Sequence, residues 1–510
     1  MLQNYLKTAW RSLWKNRFYT GINILGLSVG LTTAILLLLW IKDEKSFDKF
    51  HAAYDRIYNL SAHFMVNGHE EVWTGIPGPL YGYAKSLPQA EAVTRIKDNY
   101  GITLHRQNSN QLFYNIHSGY VDSGFFSVFS FPLLKGNTRN PFPGSNSVLL
   151  TASTAKKIFG TDDVVGKTLL QDTAVFVVSG LLADFPKNSS LQFEALFPMC
   201  LYAQLFTSEG GNGDWKTIDE DMGNYSFDTY LKLHPSSDVT AIGKVLSNTY
   251  KEARNGDSKT DFMLQPLADK HLISADGNKS GLRIVQVFTI IAFLLLAIAA
   301  VNYVNLSTAR AVSRAREVSV RKIIGANRTQ LFVQFVAETI IIFAIALLLA
   351  IGFTALLIPA YNNISGKTLA FSLADGSVWM LIGCAIFGTM ALAAIYPALH
   401  LSSFNPINAL KGKLNQGRGN ILLRKVLVVF QFSVSVVLIV CTLVIGKQMD
   451  YISRINLGFN KEHVFMVRLD DDALQHIDAI KAELGKEPAI LSTSISSVYI
   501  YRITALPAAI

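Results

Sequence analysis

The sequence predicts an α-helical membrane bundle of about five transmembrane (TM) helices, with one large α+β extracytoplasmic domain between the first and second helix. Three observations predict it. Five apolar runs are each long enough to cross a bilayer, residues 42–283 between the first two runs have a mixed composition, and basic residues concentrate in alternate loops. With half of its residues hydrophobic, the chain is too apolar for an ordinary soluble enzyme, yet it is too charged in places for an all-membrane channel, so its apolar and charged residues must be segregated along the sequence.

The five runs are nearly free of charged residues. A helix needs about 20 apolar residues to cross roughly 30 Å of hydrocarbon at about 1.5 Å per residue. The runs therefore predict the following spans: TM1 at 22–41, TM2 at 284–304, TM3 at 331–358, TM4 at 378–399 and TM5 at 426–445.

The net charge of +9 is distributed by segment. Residues 1–21 carry +4, residues 305–330 carry +5 and residues 400–425 carry +5, whereas residues 42–282 hold 22 basic and 26 acidic side chains. Because basic loops stay in the cytoplasm, this alternation predicts a multi-pass protein of the cell (inner) membrane with a cytoplasmic N-terminus and a periplasmic large domain. It argues against nucleic acid as a partner.

The chain before TM1 has a helical periodicity. Apolar residues recur between Leu2 and Trp14 at helical spacing, with Lys7, Arg11 and Lys15 on the other side. We expect an amphipathic helix in 1–21 that lies in the cytoplasmic membrane interface. The alternative is an ordinary amphipathic helix packed on a soluble core.

The predicted outer domain, 42–283, mixes strand-like and helical stretches. Turn-rich sequence separates them, and the Gly/Asp/Asn-rich residues 208–224 are interpreted as a flexible insertion. The expected strands lie at 56–64, 147–150 and 174–182, and the expected helices at 154–159 and 238–254.

The order of elements begins again near residue 424. A basic pair, the TM5 run, a polar exit and a strand-like run at 463–469 repeat the order found around TM1. Residues 446–510 are therefore expected to start a second periplasmic domain that is incomplete.

The segment between TM2 and TM3, residues 305–330, predicts more than a charged loop. A short helix is expected from Arg316 to Ile324, with Glu317 and Arg321 paired at i,i+4 and Gly325 at its end. Asn327 and Gln330 then form a candidate capping box for TM3. The plainer alternative is positive-inside anchoring, which requires the positive charge but neither the glycine nor the caps.

At this segment the chain resembles the FtsX/MacB-type permeases of ABC systems, of the Bacteroidetes-like type. The pattern is Arg-Glu-x-x-x-Arg-Lys-x-x-Gly-Ala from Arg316 to Ala326, followed by Gln334 and Glu338. Three further stretches are also similar to that family: Trp-Lys-Asn-Arg at 14–17, Leu-Thr-x-Ser-x-Ala…Phe-Gly…Gly-Lys-Thr-Leu within 149–169, and Tyr-Pro-Ala to Ala-Leu at 396–410.

The resemblance implies a MacB-like periplasmic domain at 42–283 and an FtsX-like permease domain at 284–415. It implies a permease subunit without a nucleotide-binding domain of its own, paired with a cytoplasmic ABC ATPase subunit that binds the ATP. Further partners would be a second permease half, in a homodimer or pseudo-dimer, and a periplasmic adaptor. The implied ATPase-coupling residues are Arg316, Glu317, Arg321, Lys322, Gly325 and Ala326.

The implied function is export or mechanotransmission, in which ATP hydrolysis moves the periplasmic domain to drive efflux of antimicrobials or peptides. The alternative is a non-transporting regulator of envelope enzymes or of lipoprotein release. Substrate is not encoded in any motif.

Other chemistry is not indicated. Gly160 to Thr168 resembles a phosphate-binding loop, but five residues rather than four separate Gly160 from Gly166, and two aspartates lie between them. The histidines and cysteines show no catalytic or metal-binding spacing, and no cofactor is expected. Glu338 is the one acid within an apolar run; it is a functional candidate, with packing or snorkelling to the interface as the alternative.

Overall fold

The computed structural model describes residues 10–11, 13–15, 17–107, 109, 111–309, 320–402, 418–455, 463–467, 469 and 471–496. Most of the predicted amphipathic helix lies outside this set, and so do residues 316–319 of the predicted coupling helix. The long helices are α1 Arg17–Lys45, α8 Ser280–Ala309, α9 Arg328–Ser365, α10 Gly376–Ser402 and α11 Arg418–Arg454.

Helices α1, α8, α9 and α10 form the membrane bundle. Within the described residues, four helices are long and apolar enough to cross a membrane, namely those at 17–45, 280–308, 328–365 and 424–454. In α10 the apolar stretch Gly376–Ala391 is shorter than the other four. The chain is thus a multi-pass membrane protein, and the predicted count of five spans stays a prediction.

The helices of the bundle approach each other through small residues. A Cβ built on Gly30 of α1 would lie 2.8 Å from Cβ of Ala299 in α8, so glycine permits this spacing. On another side of α1, Thr32 Oγ1 lies 3.4 Å from the Ala350 carbonyl oxygen of α9. Because α1 and α9 both run toward the α+β domain and α8 runs away from it, the bundle has two unlike ends. We call them the domain end and the basic end; the latter comprises the start of α1, the end of α8 and the start of α9.

The α+β domain lies between α1 and α8 and is built on one mixed sheet. Its strand order is β11-β1-β10-β3-β4-β9-β6-β8-β5, while β2 pairs with β1. Neighbouring strands are antiparallel except for the pairs β4·β9 and β6·β8. The strands are β1 Ile57–Val66, β2 His69–Trp73, β3 Ala90–Arg106, β4 Leu112–Val121, β5 Leu133–Gly136, β6 Ser147–Thr151, β7 Thr168–Gln171, β8 Ala174–Leu182, β9 Ala195–Pro198, β10 Asp228–Leu233 and β11 Asp261–Pro266.

Strand β7 closes part of this sheet into a ring. It pairs with β8 on one side and with the far end of β3 on the other. Strands β3, β4, β9, β6, β8 and β7 therefore form a closed loop of pairing, and each contributes a buried side chain to one apolar cluster, for example Leu104, Ile116 and Phe197. Closure removes the exposed edges that an open sheet would present.

The remaining strands pack against helices instead. The short helices are α2 Leu80–Lys85, α3 Phe125–Val128, α4 Ala152–Phe159, α5 Met199–Ser208, α6 Val239–Ala253 and α7 Leu267–Lys270. Helices α2 and α6 cover β1, β10, β3 and β11, where Leu80, Leu246 and Tyr250 are buried with Leu60 and Phe262. The domain thus joins a ring of strands to a two-layer α/β part.

Several sequence predictions for this domain are confirmed. The strand predicted at 174–182 is β8, and the helix predicted at 238–254 is α6, whose N-cap Asp238 accepts from the Ala241 N–H at 3.0 Å. The interpretation of 208–224 as a flexible insertion is wrong in one respect, because Ile218 is buried in the core of the ring and Asp219 pairs with Arg95 at 2.5 Å. A glycine-rich composition alone does not indicate which residues of a segment attach it to the core.

Residues 435–510 form a separate unit. Within its described part the structure contains the short helices α12 Asp471–Gln475 and α13 Ile477–Leu484. The strand predicted at 463–469 is wrong for the residues described there, which are a turn and irregular backbone. A strand requires a neighbour for its N–H and C=O groups, and the described residues of this unit provide none.

Candidate coupling site at the basic end of the bundle

The predicted coupling residues are only partly described. Arg316 and Glu317 lie outside the described residues, so the predicted pairing of Glu317 with Arg321 is not tested. Arg321 and Lys322 lie in a last helical turn, residues 320–323, which Gly325 and Ala326 end.

Gly325 ends this turn in the manner that the sequence predicts. Its φ is +104°, a left-handed value that favours glycine. Its N–H donates to the Lys322 carbonyl at 3.1 Å, and the Ala326 N–H donates to the Arg321 carbonyl at 2.9 Å. These two bonds make a Schellman motif, which satisfies carbonyls that a helix end otherwise leaves open.

Helix α9 begins two residues later with Asn327 as its N-cap. The Asn327 N–H donates to Oε1 of Gln330 at 3.1 Å, which is the returning arm of the predicted capping box. One helix therefore stops and the next starts within five residues. The Schellman motif and the cap fix the direction of the chain between them.

A polar contact ties the short helical turn to the bundle. Arg321 Nη1 donates to Oε1 of Gln334 in α9, and Gln334 Nε2 lies 3.5 Å from Oε1 of Glu338 one turn further along. Gln334 and Glu338 are 6% and 4% exposed. Next to them, Thr339 shares a 2.9 Å hydrogen bond with the Tyr303 hydroxyl of α8. A relay of side chains thus connects the segment before α9 to the interior of the bundle.

Three apolar side chains around the end of the turn are left uncovered. Val320 is 46% exposed, Ile323 is 60% exposed and Ile324 is 80% exposed. We call Val320, Ile323 and Ile324 the apolar tip. Beside it, burial and the neighbouring Arg328 charge lower the pKa of Lys322 below its ordinary value.

Two features of the basic end were missed from the sequence. The apolar tip was not predicted because its sequence neighbours are mostly basic. The pattern Val-x-x-Ile-Ile beside charged residues could have indicated it. Asn23 of α1 is 2% exposed, and neither of its amide atoms has a partner among the described residues. An asparagine inside an apolar run would have marked it.

Glu338 is 4% exposed inside the bundle, which fits the packing alternative, and its functional role stays a prediction. Within the described residues, no three His, Cys, Asp or Glu side chains are grouped so that they could hold a metal ion.

Comparison with family models gives two matches. Residues 20–249 match the MacB-like periplasmic core domain, and residues 289–406 match the FtsX-like permease C-terminal model. The chain belongs to the FtsX/MacB-like permeases. The second match contains the candidate coupling site, and the first contains nearly all of the strands.

The curated relatives that match this chain do so at low sequence identity. The chain is 22% identical over 424 residues to the pyoverdine export ATP-binding/permease protein PvdT of Pseudomonas syringae, covering 79% of this chain and 59% of PvdT. It is 21% identical over 426 residues to the macrolide export ATP-binding/permease protein MacB of Wolinella succinogenes, covering 79% and 60%. The permease YknZ of Bacillus subtilis is 23% identical over 298 residues, covering 57% and 68%. The chain thus spans about three fifths of the length of PvdT and MacB.

Solved structures resemble part of the chain only distantly. A permease-protein domain from Porphyromonas gingivalis is 19% identical with a TM-score of 0.36, covering 42% of this chain and 92% of that domain. The periplasmic region of MacB from Actinobacillus actinomycetemcomitans is 15% identical with a TM-score of 0.30, covering 42% and 90%.

Proposed function

We propose that this chain is the permease subunit of an ABC-type transporter and that its basic end binds a separate cytoplasmic ATPase subunit. The observation that carries the proposal is the apolar tip at the end of a capped helical turn, which the Arg321–Gln334 contact attaches to the bundle. We assign the coupling role to Arg316, Glu317, Arg321, Lys322, Gly325 and Ala326. Glu338 would support them through Gln334.

We assign different roles to the apolar tip and to the charged residues around it. Burial of an isoleucine side chain stabilises an interface by about 1.5–3 kcal/mol, so Ile323 and Ile324 would supply affinity. The surrounding arginines and lysines would steer the approach and orientation of an acidic cleft, which affects association rate more than affinity. The Gly325 turn would keep the tip at a fixed distance from α9.

The proposed orientation follows from the basic residues. Three basic segments would face the cytoplasm of an inner-membrane protein, and the α+β domain would face the periplasm. We propose the following domain limits: the amphipathic helix at 1–21, TM1 at 22–41, the periplasmic domain at 42–283, the permease domain at 284–415, TM5 at 426–445 and the start of a second periplasmic domain at 446–510. Assembly with a second permease half and contact with a periplasmic adaptor belong to the same proposal.

We propose export as the purpose of the movement. PvdT and MacB are named for pyoverdine export and macrolide export, which supports export by this chain. Hydrolysis in the ATPase would shift the bundle and then the periplasmic domain. The class of substrate would be an antimicrobial, a peptide or a similar molecule.

Co-purification of the ATPase tests the binding role. The chain is co-expressed with its ABC ATPase, and the ATPase recovered per permease is measured for the unchanged chain and for I323D/I324D. We expect at least a tenfold loss, because two apolar contacts are replaced by carboxylates. The matched control is Met65→Asp, which changes a side chain on the α+β domain that is 62% exposed. Unchanged recovery with I323D/I324D would mean that the tip contacts lipid or solvent, and it would contradict the proposal.

A further inference from the structure

The strongest unassigned feature is a cluster of charged side chains at the domain end of the bundle. Asp43 and Glu44 lie in the last turn of α1, and Lys367 lies just after α9. Lys367 Nζ is 2.7 Å from Oδ2 of Asp43 and 2.7 Å from Oε1 of Glu44. The other oxygen of Glu44, Oε2, is 2.5 Å from Nε2 of His271. We call Asp43, Glu44, His271 and Lys367 the ionic joint.

The joint connects three parts of the chain that are far apart in sequence. Asp43 and Glu44 precede the entry into the α+β domain, His271 follows α7 at the exit from that domain, and Lys367 belongs to the loop between α9 and α10. Any displacement of this loop therefore acts on the entry directly and on the exit through Glu44.

These groups are partly shielded from solvent, with the Asp43 side chain 25% exposed and that of His271 28% exposed. The Lys367 side chain is 19% exposed and that of Glu44 is 12% exposed. Burial alone would lower the pKa of Lys367, but its hydrogen bonds to Asp43 and Glu44 and their negative charges raise it above the ordinary value. The ammonium group therefore stays charged at neutral pH. Partial burial also protects the pairs from screening by salt.

The loop that carries Lys367 is held in shape. Gly366 ends α9 in a left-handed conformation with a φ of +65°. The Asn362 side chain then bonds both backbone groups of Leu369, donating to its carbonyl at 3.0 Å and accepting from its N–H at 3.0 Å. A fixed loop can transmit a displacement, whereas a loose loop would absorb it.

The other side of the joint is fastened to the α+β domain. Asp48, which follows α1, accepts from the Ser190 backbone N–H at 2.8 Å, and the Asp48 N–H donates to the Asn188 carbonyl at 2.9 Å. Asn188 Nδ2 also donates to Ser46 Oγ at 2.9 Å. The His271 ring stacks on that of Phe47. Motion of the α1 exit would therefore move the domain rather than slide past it.

Helix α9 links the joint to the candidate coupling site. It is assigned as one α-helix from Arg328 to Ser365, 38 residues with Pro359 near its end, or about 57 Å at 1.5 Å per residue. Gln334 near its start contacts Arg321, and Lys367 follows its end. One continuous helix thus has the coupling segment at one end and the joint at the other.

We infer that Lys367, through its ion pairs with Asp43 and Glu44, passes displacement of α9 to the periplasmic domain. Lys367, Asp43, Glu44 and His271 are positioning residues: they touch neither nucleotide nor exported molecule. This inference rests on the proposed function, because it needs an ATPase at the basic end to displace α9. It deepens that function by naming the residues through which the motion leaves the membrane.

The test compares Lys367→Met with Lys367→Arg in the full chain assembled with its ATPase. Met keeps the length and removes the charge, whereas Arg keeps the charge and can bond both carboxylates. Spin labels are placed at Met65 of the α+β domain and Met380 of α10, after serine replaces Cys200, Cys384 and Cys441. The distance between labels is measured without nucleotide and with ATP and vanadate, together with the ATPase rate.

We expect the distance between the labels in the unchanged chain to shift when the ATPase is trapped with ATP and vanadate. K367M should lose that shift while its ATPase rate stays within about twofold of the unchanged chain, and K367R should retain it. The control Lys251→Met breaks a 2.5 Å pair with Asp261 on the α+β domain and should keep the full shift. If K367M does not fold, Asp43→Asn removes one acceptor from the other side and should reduce the shift.

Two failures are distinguishable. An unchanged chain that recovers no ATPase would overturn the proposed function. If the unchanged chain binds the ATPase, two results would overturn the role of the joint alone. One is a distance shift in K367M as large as in the unchanged chain, and the other is no shift in either.

Discussion

The two ends of the membrane bundle differ in how they treat charge and apolar surface. At the basic end the apolar tip is open, with Ile324 80% exposed, and the contact to the bundle runs through the neutral amide of Gln334. At the domain end Lys367 and Glu44 form a shielded ion pair. An open end suits a partner that must bind and leave. A shielded end suits a fixed connection to a domain of the same chain.

The largest effect is expected from breaking the relay at the basic end. Gln334→Leu keeps a similar side-chain volume but removes an acceptor of Arg321 and a donor that lies near Glu338. Loss of a partner for a buried polar group costs about 1–3 kcal/mol. We therefore expect about a tenfold loss of ATPase recovery at unchanged expression.

The control for that change is Gln111→Leu, an exposed glutamine of the α+β domain. Equal recovery for Q334L and Q111L would show that the relay does not position the coupling segment. The ionic joint should keep its geometry in both variants, because it lies at the other end of α9.

A smaller effect is expected from the second ion pair at the domain end. Lys42 Nζ lies 2.8 Å from Oδ2 of Asp375, and the two side chains are 36% and 45% exposed. Its hydrogen bond to Lys42 lowers the pKa of Asp375, so this carboxyl stays ionised at neutral pH. Exposed pairs nevertheless contribute about 0–1 kcal/mol and weaken as salt rises.

We expect Lys42→Met to reduce the trapped-state distance shift by less than about a third, and Lys367→Met to abolish it. The measurement is the same label pair, at low and at high salt. A loss with K42M as large as with K367M would show that charge near the membrane surface, rather than a shielded joint, carries the effect.

Much of this fold could be predicted from local pattern. Apolar runs predict the long helices, and a strand-like run between turn-rich segments predicts β8. Gly325 and Asn327 predict where one helix stops and the next begins. All of these depend on neighbours within a few residues, which the sequence displays directly.

Features that depend on distant residues could not be predicted in this way. Lys367 meets Asp43 across 324 positions, and β7 closes the ring by pairing with the end of β3. Periodicity assigns a residue to a face of its own element but not to a partner on another. The strand predicted at 463–469 is wrong for the residues described there for a related reason, because a strand-like run becomes a strand only where another strand pairs with it.

The central claim is that one helix connects a partner-binding basic end to a joint at the domain end. Hydrogen–deuterium exchange on the full chain, with and without its ATPase in the trapped state, measures both ends together. The claim predicts protection of residues 320–330 accompanied by changed exchange at 366–375 and 43–49. Protection at 320–330 with no change at 366–375 and 43–49 would contradict it.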